Sequence, residues 1–369
     1  MSESVVVPSF VHLHCHSHFS LLDGASPIKG LVKRAKELGM NGLALTDHGN
    51  LYGALEFYKA CKEAEINPVL GYEAYVAPGS RFDKSGALSS KEATFHLTLL
   101  AQNRTGFRNL VKLASRAFLE GFYHKPRIDR ALLEEYSEGI ICLSGCVSGE
   151  FSRALLAASS GKRGEALGAQ AEEQVARAME IAAWFSRVFG DRYFIEIQDN
   201  GLEIQRLAKE AAVEVAGRMG LPLVATSDAH YVRREDAEAQ DVLLCINTGK
   251  YRTDANRMRM EGDQFYLRSP EEMYAALSDQ ADALRRAQQI ADSVDIDLEL
   301  GKRHFPTFAP PEQKSSLDYL RELCVAGLKD RYAGQADRWE GDDLSREVYD
   351  RLNRELGVIG KLGFCDYFL

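Results

Sequence analysis

No stretch of about 18 consecutive apolar residues occurs in the chain, which excludes a membrane-spanning helix. Residues 1–8 lack the charged start and long apolar run of a secretory signal. Cysteine is sparse: seven residues, at positions 15, 61, 142, 146, 245, 324 and 365, with no C-x-x-C pair. They form no even framework for disulfides. That pattern suits a reducing, cytoplasmic setting in which one cysteine is free to act as a ligand. A positive charge balance is also missing. The net charge of −9 argues against a surface that grips nucleic acid through overall charge. It leaves local basic patches and metal-mediated phosphate contact open. Internal repeats and low-complexity segments are absent. What the chain has in quantity is apolar residues, 45% of 369, enough for a sizeable core in one large domain plus part of another.

The most informative stretch is Phe10 to Gly24, FVHLHCHSHFSLLDG. His12, His14, His16 and His18 occupy every second position. Alternate side chains of an extended backbone share a face, so several imidazoles are aimed at one place. Imidazole suits Zn, Cu, Fe and Ni. The run follows an apolar start (Val5 to Val7, Phe10, Val11) and ends in Leu21, Leu22 and Asp23, unlike a surface histidine tract. A metal here needs further ligands from later segments.

Strand-like and helix-like patterns alternate through most of the chain. The candidate strands are Val11–His14, Gly42–Thr46, Pro68–Val76, Phe95–Ala101, Gly139–Leu143, Tyr193–Gln198 and Leu221–Thr226. Between them lie helical patterns over Ser26–Leu38, Leu51–Glu65, Gly106–Leu119, Gly164–Val188 and Leu202–Met219. In the first, Ile28, Leu31, Val32, Ala35 and Leu38 keep a helical period, with Ser26 as the expected N-cap and Gly39 as the stop. Such alternation predicts an α/β fold with a parallel sheet, closed or nearly closed into a β/α barrel. From Pro270 onward helices dominate: Pro270–Leu277, Asp282–Ser293, Ser316–Tyr332 and Leu344–Leu362. The proline-rich stretch His304–Pro311 reads as a linker or loop. The expected domains are therefore 1–280 and 281–369, the second breaking off on Asp366-Tyr367-Phe368-Leu369 as a truncated segment would.

Barrel chemistry sits where strands end. The first strand delivers His14 and His16, then Asp23, and the second Asp47-His48. Glu73 lies on the third and His96 on the fourth. Cys146 follows the fifth, and Asp228 and His230 follow the seventh. Taken singly, each is ordinary: Glu73 reads as a surface charge, His96 as a core histidine, Cys146 as a small buried group. Their joint placement points to a metal site. So many donors exceed the needs of one tetrahedral zinc and suit two or three ions sharing a bridging carboxylate. Mixed imidazole, carboxylate and thiolate ligation fits Zn²⁺ first, Mn²⁺ or Fe second. Such a centre acidifies water, holds a phosphate and stabilises a leaving oxygen, which suits a phosphoesterase. A closed site that merely holds the barrel together is the alternative.

On these residues the chain resembles the polymerase and histidinol phosphatase (PHP) superfamily. Within it, the resemblance is to the N-terminal part of bacterial replicative DNA polymerase III alpha subunits. The matching segments include FVHLHCHSHFSLLDGA, LALTDHGNLYGALEFYKACKEAEINPVLGYEAYVAPGSRF, LSGCVSGE, YFIEIQDNG and VATSDAHYVRREDAEAQDVLLCI, spanning nearly all of residues 10–247. The resemblance implies a distorted seven-stranded, TIM-like β/α barrel with a three-metal site, followed by a mainly helical segment leading into a polymerase palm. It implies His14, His16, Asp23, His48, Glu73, His96, Cys146, Asp228 and His230 as ligands, and all nine are present. It leaves His12 and His18 out; His12 reads as a polar group of the barrel interior. Asp47 is expected to accept from an imidazole N–H, and Glu196 to lie in the core or behind a ligand. Asp295-Ile296-Asp297 mimics a polymerase aspartate pair and is read as a decoy.

The activity implied is 3′–5′ exonucleolytic proofreading of DNA, with DNA-directed DNA polymerisation in the full-length protein. Water activated by the cluster is the expected nucleophile, with Glu73 bridging and Asp228 beside it. His14, His16 and Asp228 would complete one ion's shell, His96 and Cys146 a second, and Asp23, His48 and His230 a third. Lys125 and Arg127 in YHKPRID are candidate contacts to the DNA backbone or else an ordinary solvated loop, and His124 is read in the same two ways. Expected partners are a single-stranded or frayed 3′ end and, through the remainder of the protein, replisome subunits such as the sliding clamp. Two other functions compete. One is a structural metal-binding domain without turnover. The other is a small-molecule phosphatase of the histidinol-phosphate type, against which the helical extension speaks.

Overall fold

The computed structural model describes residues 8–84, 94–159, 167–302 and 304–369. The apolar start Val5–Val7 and the opening of the helical pattern at Gly164 lie outside them. The described chain forms two compact units, 8–298 and 299–369.

The first unit is built on a seven-stranded sheet. Its strands are β1 (Gly42–Leu45), β2 (Asn67–Val76), β3 (Phe95–Ala101), β4 (Arg127–Ile128), β5 (Ile140–Leu143), β6 (Tyr193–Gln198) and β7 (Leu223–Thr226). The order is β1-β2-β3-β5-β6-β7, with the short β4 added beside β2. Helices intervene: α1 (Ile28–Glu37), α2 (Ala54–Glu63), α3 (Arg104–Leu119), α4 (Arg130–Glu135), α5 (Glu150–Ser159), α6 (Leu167–Phe189), α7 (Glu203–Met219), α8 (Ala237–Thr248), α9 (Pro270–Ala276) and α10 (Ala281–Asp292).

The sheet is mixed rather than wholly parallel. β3 runs antiparallel to both β2 and β5, while β1–β2, β5–β6 and β6–β7 are parallel. A parallel pair requires a long crossover, usually a helix. The chain between β2 and β3 carries no helical pattern, so β3 returns alongside β2 in the opposite sense. This reversal matters for the site. It brings the first residues of β3, not its last, to the rim where the parallel strands end.

The histidine segment is extended but is not a regular strand. On one side its carbonyls at His12 and Cys15 accept from Ala44 N–H (2.9 Å) and Thr46 N–H (2.8 Å). On the other, His16 N–H donates to the carbonyl of Ala229 (2.8 Å), and Ala229 N–H donates to that of His14 (3.1 Å). The segment therefore bridges β1 to the chain just beyond β7 and closes the curled sheet where its two edge strands would stand unpaired. β4, within the loop holding Lys125 and Arg127, was not legible as a strand because it is only two residues long.

Local signals explain most helix boundaries. Asn103 caps α3 through its side chain, accepting from Gly106 N–H at 3.0 Å, and so starts the helix earlier than the apolar period suggests. Ser269 and Glu272 form a reciprocal capping box at α9. The start of α1 differs from expectation: Pro27 takes the cap position, and Ser26 is buried without capping. Gly39, at φ 72°, ends that helix in the left-handed region.

α10 belongs to the first unit. Its Ala283, Leu284, Ala287, Ile290 and Ala291, with Val294 and Ile296 beyond it, are buried in the same core as the barrel strands. Arg286 donates to the carbonyl of Leu223 on β7 (2.6 Å), and Asn67 of β2 donates to that of Ala291 (2.9 Å). The division thus falls after Leu298 rather than near residue 280, because this amphipathic helix has its apolar face on the sheet. Asp295 and Asp297 are exposed on either side of buried Ile296, and Asp297 accepts from the Tyr58 hydroxyl at 3.3 Å.

The second unit holds α11 (Ser316–Arg331), α12 (Arg346–Lys361) and α13 (Cys365–Phe368), with a small hairpin of β8 (Trp339–Glu340) and β9 (Asp343–Leu344). Leu320, Leu352, Leu356 and Cys365 form its small core. Among the described residues no helix is long and apolar enough to cross a membrane.

Candidate metal centre

All nine residues singled out as ligands converge at one rim of the barrel. Glu73, on β2, is at the middle. Its Oε1 lies 2.9 Å from His96 Nδ1 and 3.5 Å from His14 Nε2. Its Oε2 lies 2.5 Å from His48 Nδ1 and 4.0 Å from His16 Nε2. Cys146 Sγ is 3.6 Å from Glu73 Oε1 and 3.9 Å from His96 Nδ1. Asp228 Oδ1 is 3.1 Å from His16 Nε2 and 3.3 Å from His14 Nε2. His48 Nε2 meets Asp23 Oδ2 at 2.9 Å, and His230 Nε2 stands 3.8 Å from the same oxygen. The His16 and His230 rings stack at 4.3 Å.

Several imidazoles have one nitrogen fixed from behind and the other left facing the cup. His14 Nδ1 donates to Glu196 Oε1 at 2.7 Å. Glu196 also accepts from Thr98 (3.1 Å), Thr226 (2.6 Å) and Gln198 (3.1 Å) in the barrel interior. His16 Nδ1 donates to Ser20 Oγ at 2.9 Å, and Ser20 passes its own hydrogen to Asp47 Oδ1 at 2.8 Å. His230 Nδ1 donates to the carbonyl of Asp228 at 2.8 Å. These partners occupy Nδ1 of each ring and leave Nε2 facing the cup, where a bound cation would take its lone pair. Asp228 has φ 54°, a left-handed conformation uncommon for aspartate that turns its side chain back toward the rings.

The donors fit cations on the structure's own terms. His14 Nε2, His16 Nε2, His48 Nδ1, Glu73 Oε2 and Asp228 Oδ1 are buried polar atoms that make no well-aligned hydrogen bond among the described residues and lie close to one another instead. Unmatched buried polar atoms are costly, and here they face one another. Three overlapping sets have donor atoms close enough to hold an ion: His14, His16 and Glu73; His48, Glu73 and His96; and His16, His48 and His230. Electrostatics agree. Burial opposes ionisation of Glu73, yet His96 and His48 hold its carboxyl well below the usual range. Burial likewise works against His14 as a cation, but Asp228 and Glu196 raise it well above the ordinary imidazole value. His16 is pushed down to about 3 by burial and by His48 and His230. The Cys146 thiol is raised by burial and by the charges of Glu73 and Asp228. Three carboxylates and one thiol gathered around five imidazoles make a donor set of the kind that divalent cations take.

The remaining sequence candidates separate cleanly. His12 is buried with both nitrogens engaged, Nε2 with the Arg268 carbonyl (2.9 Å) and Nδ1 with the Ser227 hydroxyl (2.7 Å), away from the cup. His18 is exposed. Asp47 does not meet an imidazole directly; it accepts from Ser17 N–H and from the Ser17 and Ser20 hydroxyls, and reaches His16 only through Ser20. Arg127 is not a surface cation. It is buried, and its guanidinium donates to the carbonyls of Gly121, Arg81 and Asp83. Lys125 is exposed, with Nζ 5.3 Å from the centre of the Tyr75 ring, and His124 is exposed on the same loop. Sequence reasoning missed Ser20 and Gln240. Gln240, on α8, donates to the Asp23 carbonyl at 3.2 Å. Ser20 lies four residues from His16, but its role depends on Asp47 in a later segment, and Gln240 reaches Asp23 from the far end of the barrel sequence, so neither carries a spacing signal.

The PHP domain family matches residues 12–200, and the bacterial DNA polymerase III alpha NTPase domain family matches residues 318–369. DNA polymerase III subunit alpha of Treponema pallidum is 43% identical over 363 residues, covering 98% of this chain and 29% of that protein. The same subunit of Thermus aquaticus is 42% identical, covering 95% of this chain and 28% of that protein. The chain thus spans less than a third of the length of these relatives. Among solved structures, a two-domain protein from Bacteroides vulgatus containing a predicted PHP-like metal-dependent phosphoesterase aligns over 81% of this chain and 75% of its own, at 12% identity and a TM-score of 0.34. The chain belongs to the PHP domain family, and the members it matches along nearly its whole length are bacterial DNA polymerase III alpha subunits.

Proposed function

We propose that the cup holds divalent metal ions, three in number and Zn²⁺ by preference with Mn²⁺ or Fe as substitutes, and that it hydrolyses the terminal phosphodiester of a DNA 3′ end. The observation that carries this reading is the set of five buried donor atoms, on His14, His16, His48, Glu73 and Asp228, that face one space and have one another as their near polar neighbours. Glu73, His14, His16 and Asp228 would hold one ion; Glu73, His96 and Cys146 a second; Asp23, His48 and His230 a third. Such ions supply Lewis acidity and lower the pKa of water.

The chain's own residues do the rest. Glu73 joins the subsites through its two oxygens. Glu196 keeps His14 in one tautomer, and the Ser20–Asp47 pair does the same for His16. Asp228, turned inward, places its carboxylate against both rings. Within a longer polypeptide of the kind its relatives possess, this unit would serve a DNA-directed DNA polymerase by proofreading, with the sliding clamp among the partners of the whole.

A metal-replete preparation should release nucleotides from a 3′-labelled single strand, and stripping by a chelator should abolish the release until Zn²⁺ or Mn²⁺ is restored. Full metal occupancy without any release would select the structural reading. Hydrolysis of histidinol phosphate with no action on DNA would select the small-molecule phosphatase. Glu196 gives a second check. Glu196→Gln is expected to weaken metal affinity roughly 10–100-fold, because it withdraws the charge behind His14 while leaving all nine ligands in place. Competition against a zinc-sensitive dye measures it, and unchanged affinity would remove Glu196 from the mechanism.

A further inference from the structure

We propose that Tyr52, Phe118 and Phe122 form a stacking platform for the unpaired bases of a single DNA strand whose 3′ end occupies the cup. The proposal rests on the phosphodiester reading above and adds the surface that would present the substrate.

The three rings are on the outside, at 58%, 39% and 50% exposure. Large aromatic side chains so placed have a reason more often in binding than in folding. They are also ordered with respect to one another. Tyr52 and Phe118 have ring centres 6.3 Å apart at an interplanar angle of 35°, and Phe118 and Phe122 are 6.2 Å apart at 28°. Three faces in series, each inclined to the next by 28–35°, offer successive bases of an unpaired strand a surface to stack on, because every base has a flat face whatever its identity.

The platform is continuous with the metal centre. Tyr52 lies just past the turn that carries His48, and its N–H donates to the Asn50 side chain, which also binds the carbonyl of His48. Phe122 opens the loop that carries Lys125. The two loops touch beside the cup: a Cβ on Gly49 would stand 2.9 Å from the Tyr75 ring and 3.0 Å from Pro126. Tyr75 itself lies 5.2 Å from the His96 ring and 6.1 Å from the His48 ring. Lys125, exposed and set over Tyr75, stands at this junction as a cation for the phosphate that links the last stacked base to the bond being cut. A short run of rings followed by one cation and then the metal ligands binds bases first and backbone last, without sequence preference.

The test is fluorescence anisotropy with a labelled oligothymidylate and, in parallel, an abasic strand of the same length, both in chelator so that nothing is cleaved. Phe118→Ala and Phe122→Ala should each weaken oligothymidylate binding roughly 5-fold to 150-fold and leave the abasic strand unchanged. Phe118→Trp, which keeps a face, should bind at least as well as the parent chain. Hydrolysis of a small chromogenic phosphodiester, too short to reach the rings, should be the same in all variants. Thermal melting verifies that these exposed substitutions leave the fold intact. Equal affinity of the alanine variants and the parent chain for oligothymidylate overturns the platform, as does an equal loss on both strands. Failure of every preparation to hydrolyse any diester would sink the catalytic reading alone, since the anisotropy comparison decides the platform without turnover.

Discussion

Glu73→Gln is expected to lower nucleotide release by on the order of 10²–10⁴-fold, the largest loss of any single substitution in the chain. One carboxylate, 1% exposed, faces four imidazoles: His96 and His14 from one oxygen, His48 and His16 from the other. Glutamine keeps the shape and removes the charge, so the fold survives while two subsites lose their shared anion. Metal content should fall together with activity. His14 and His48, which Glu73 helps to hold protonated in the absence of cations, should lose part of that stabilisation. Elemental analysis of the purified variant beside the release assay measures both effects. A variant with full metal content and undiminished release would show that the carboxylate is incidental.

The second large effect is on stability. Asp129→Ala should cost about 3 kcal/mol, a drop of roughly 5 °C in melting temperature for a unit of this size. Arg81 and Asp129 form a paired set of bonds at 3.0 and 3.1 Å with side chains only 10% and 6% exposed. Asp129 also accepts from Arg81 N–H (2.9 Å) and caps α4 through Leu132 N–H (3.1 Å). Removing it leaves a nearly buried guanidinium with Glu120 as its remaining carboxylate, together with an uncapped helix. Arg127 donates to the Arg81 carbonyl, so the loop holding Lys125 should loosen too. The exposed pair Arg206–Glu203 is the control: Arg206→Ala should leave the melting temperature where it is, because solvent screens that interaction. Equal shifts for the two variants would refute the distinction.

How much of this was readable in advance differs residue by residue. That these nine residues gather at one rim was legible because metal-ligating side chains belong to few residue types, and the chain puts them at the ends of apolar, strand-like runs. The helices over Ile28–Glu37 and Ala281–Asp292 were legible because a period of 3.6 is written in consecutive residues. Where α10 would pack was not, since an amphipathic helix states that it has an apolar face and not which sheet it will cover.

The alternating histidines show the limit most plainly. A period of two sets the face, but each pair of residues also advances the chain by about 6.6 Å. Along one face, His12 falls too deep and bonds Arg268 and Ser227, His14 and His16 reach the cup, and His18 passes beyond it into solvent.

By itself, then, the amino-acid order determined which side chains gather at the rim, the strand and helix alternation, and the membership of this chain among the PHP domains. The tertiary structure alone decided that β3 runs backwards and so brings His96 to the rim. It alone decided that Arg127 is spent on backbone carbonyls, that Ser20 links Asp47 to His16, and that Tyr52, Phe118 and Phe122 meet on an exposed surface. The reason is the same in each case. These outcomes depend on where segments far apart in the chain meet, and a local pattern carries no term for that.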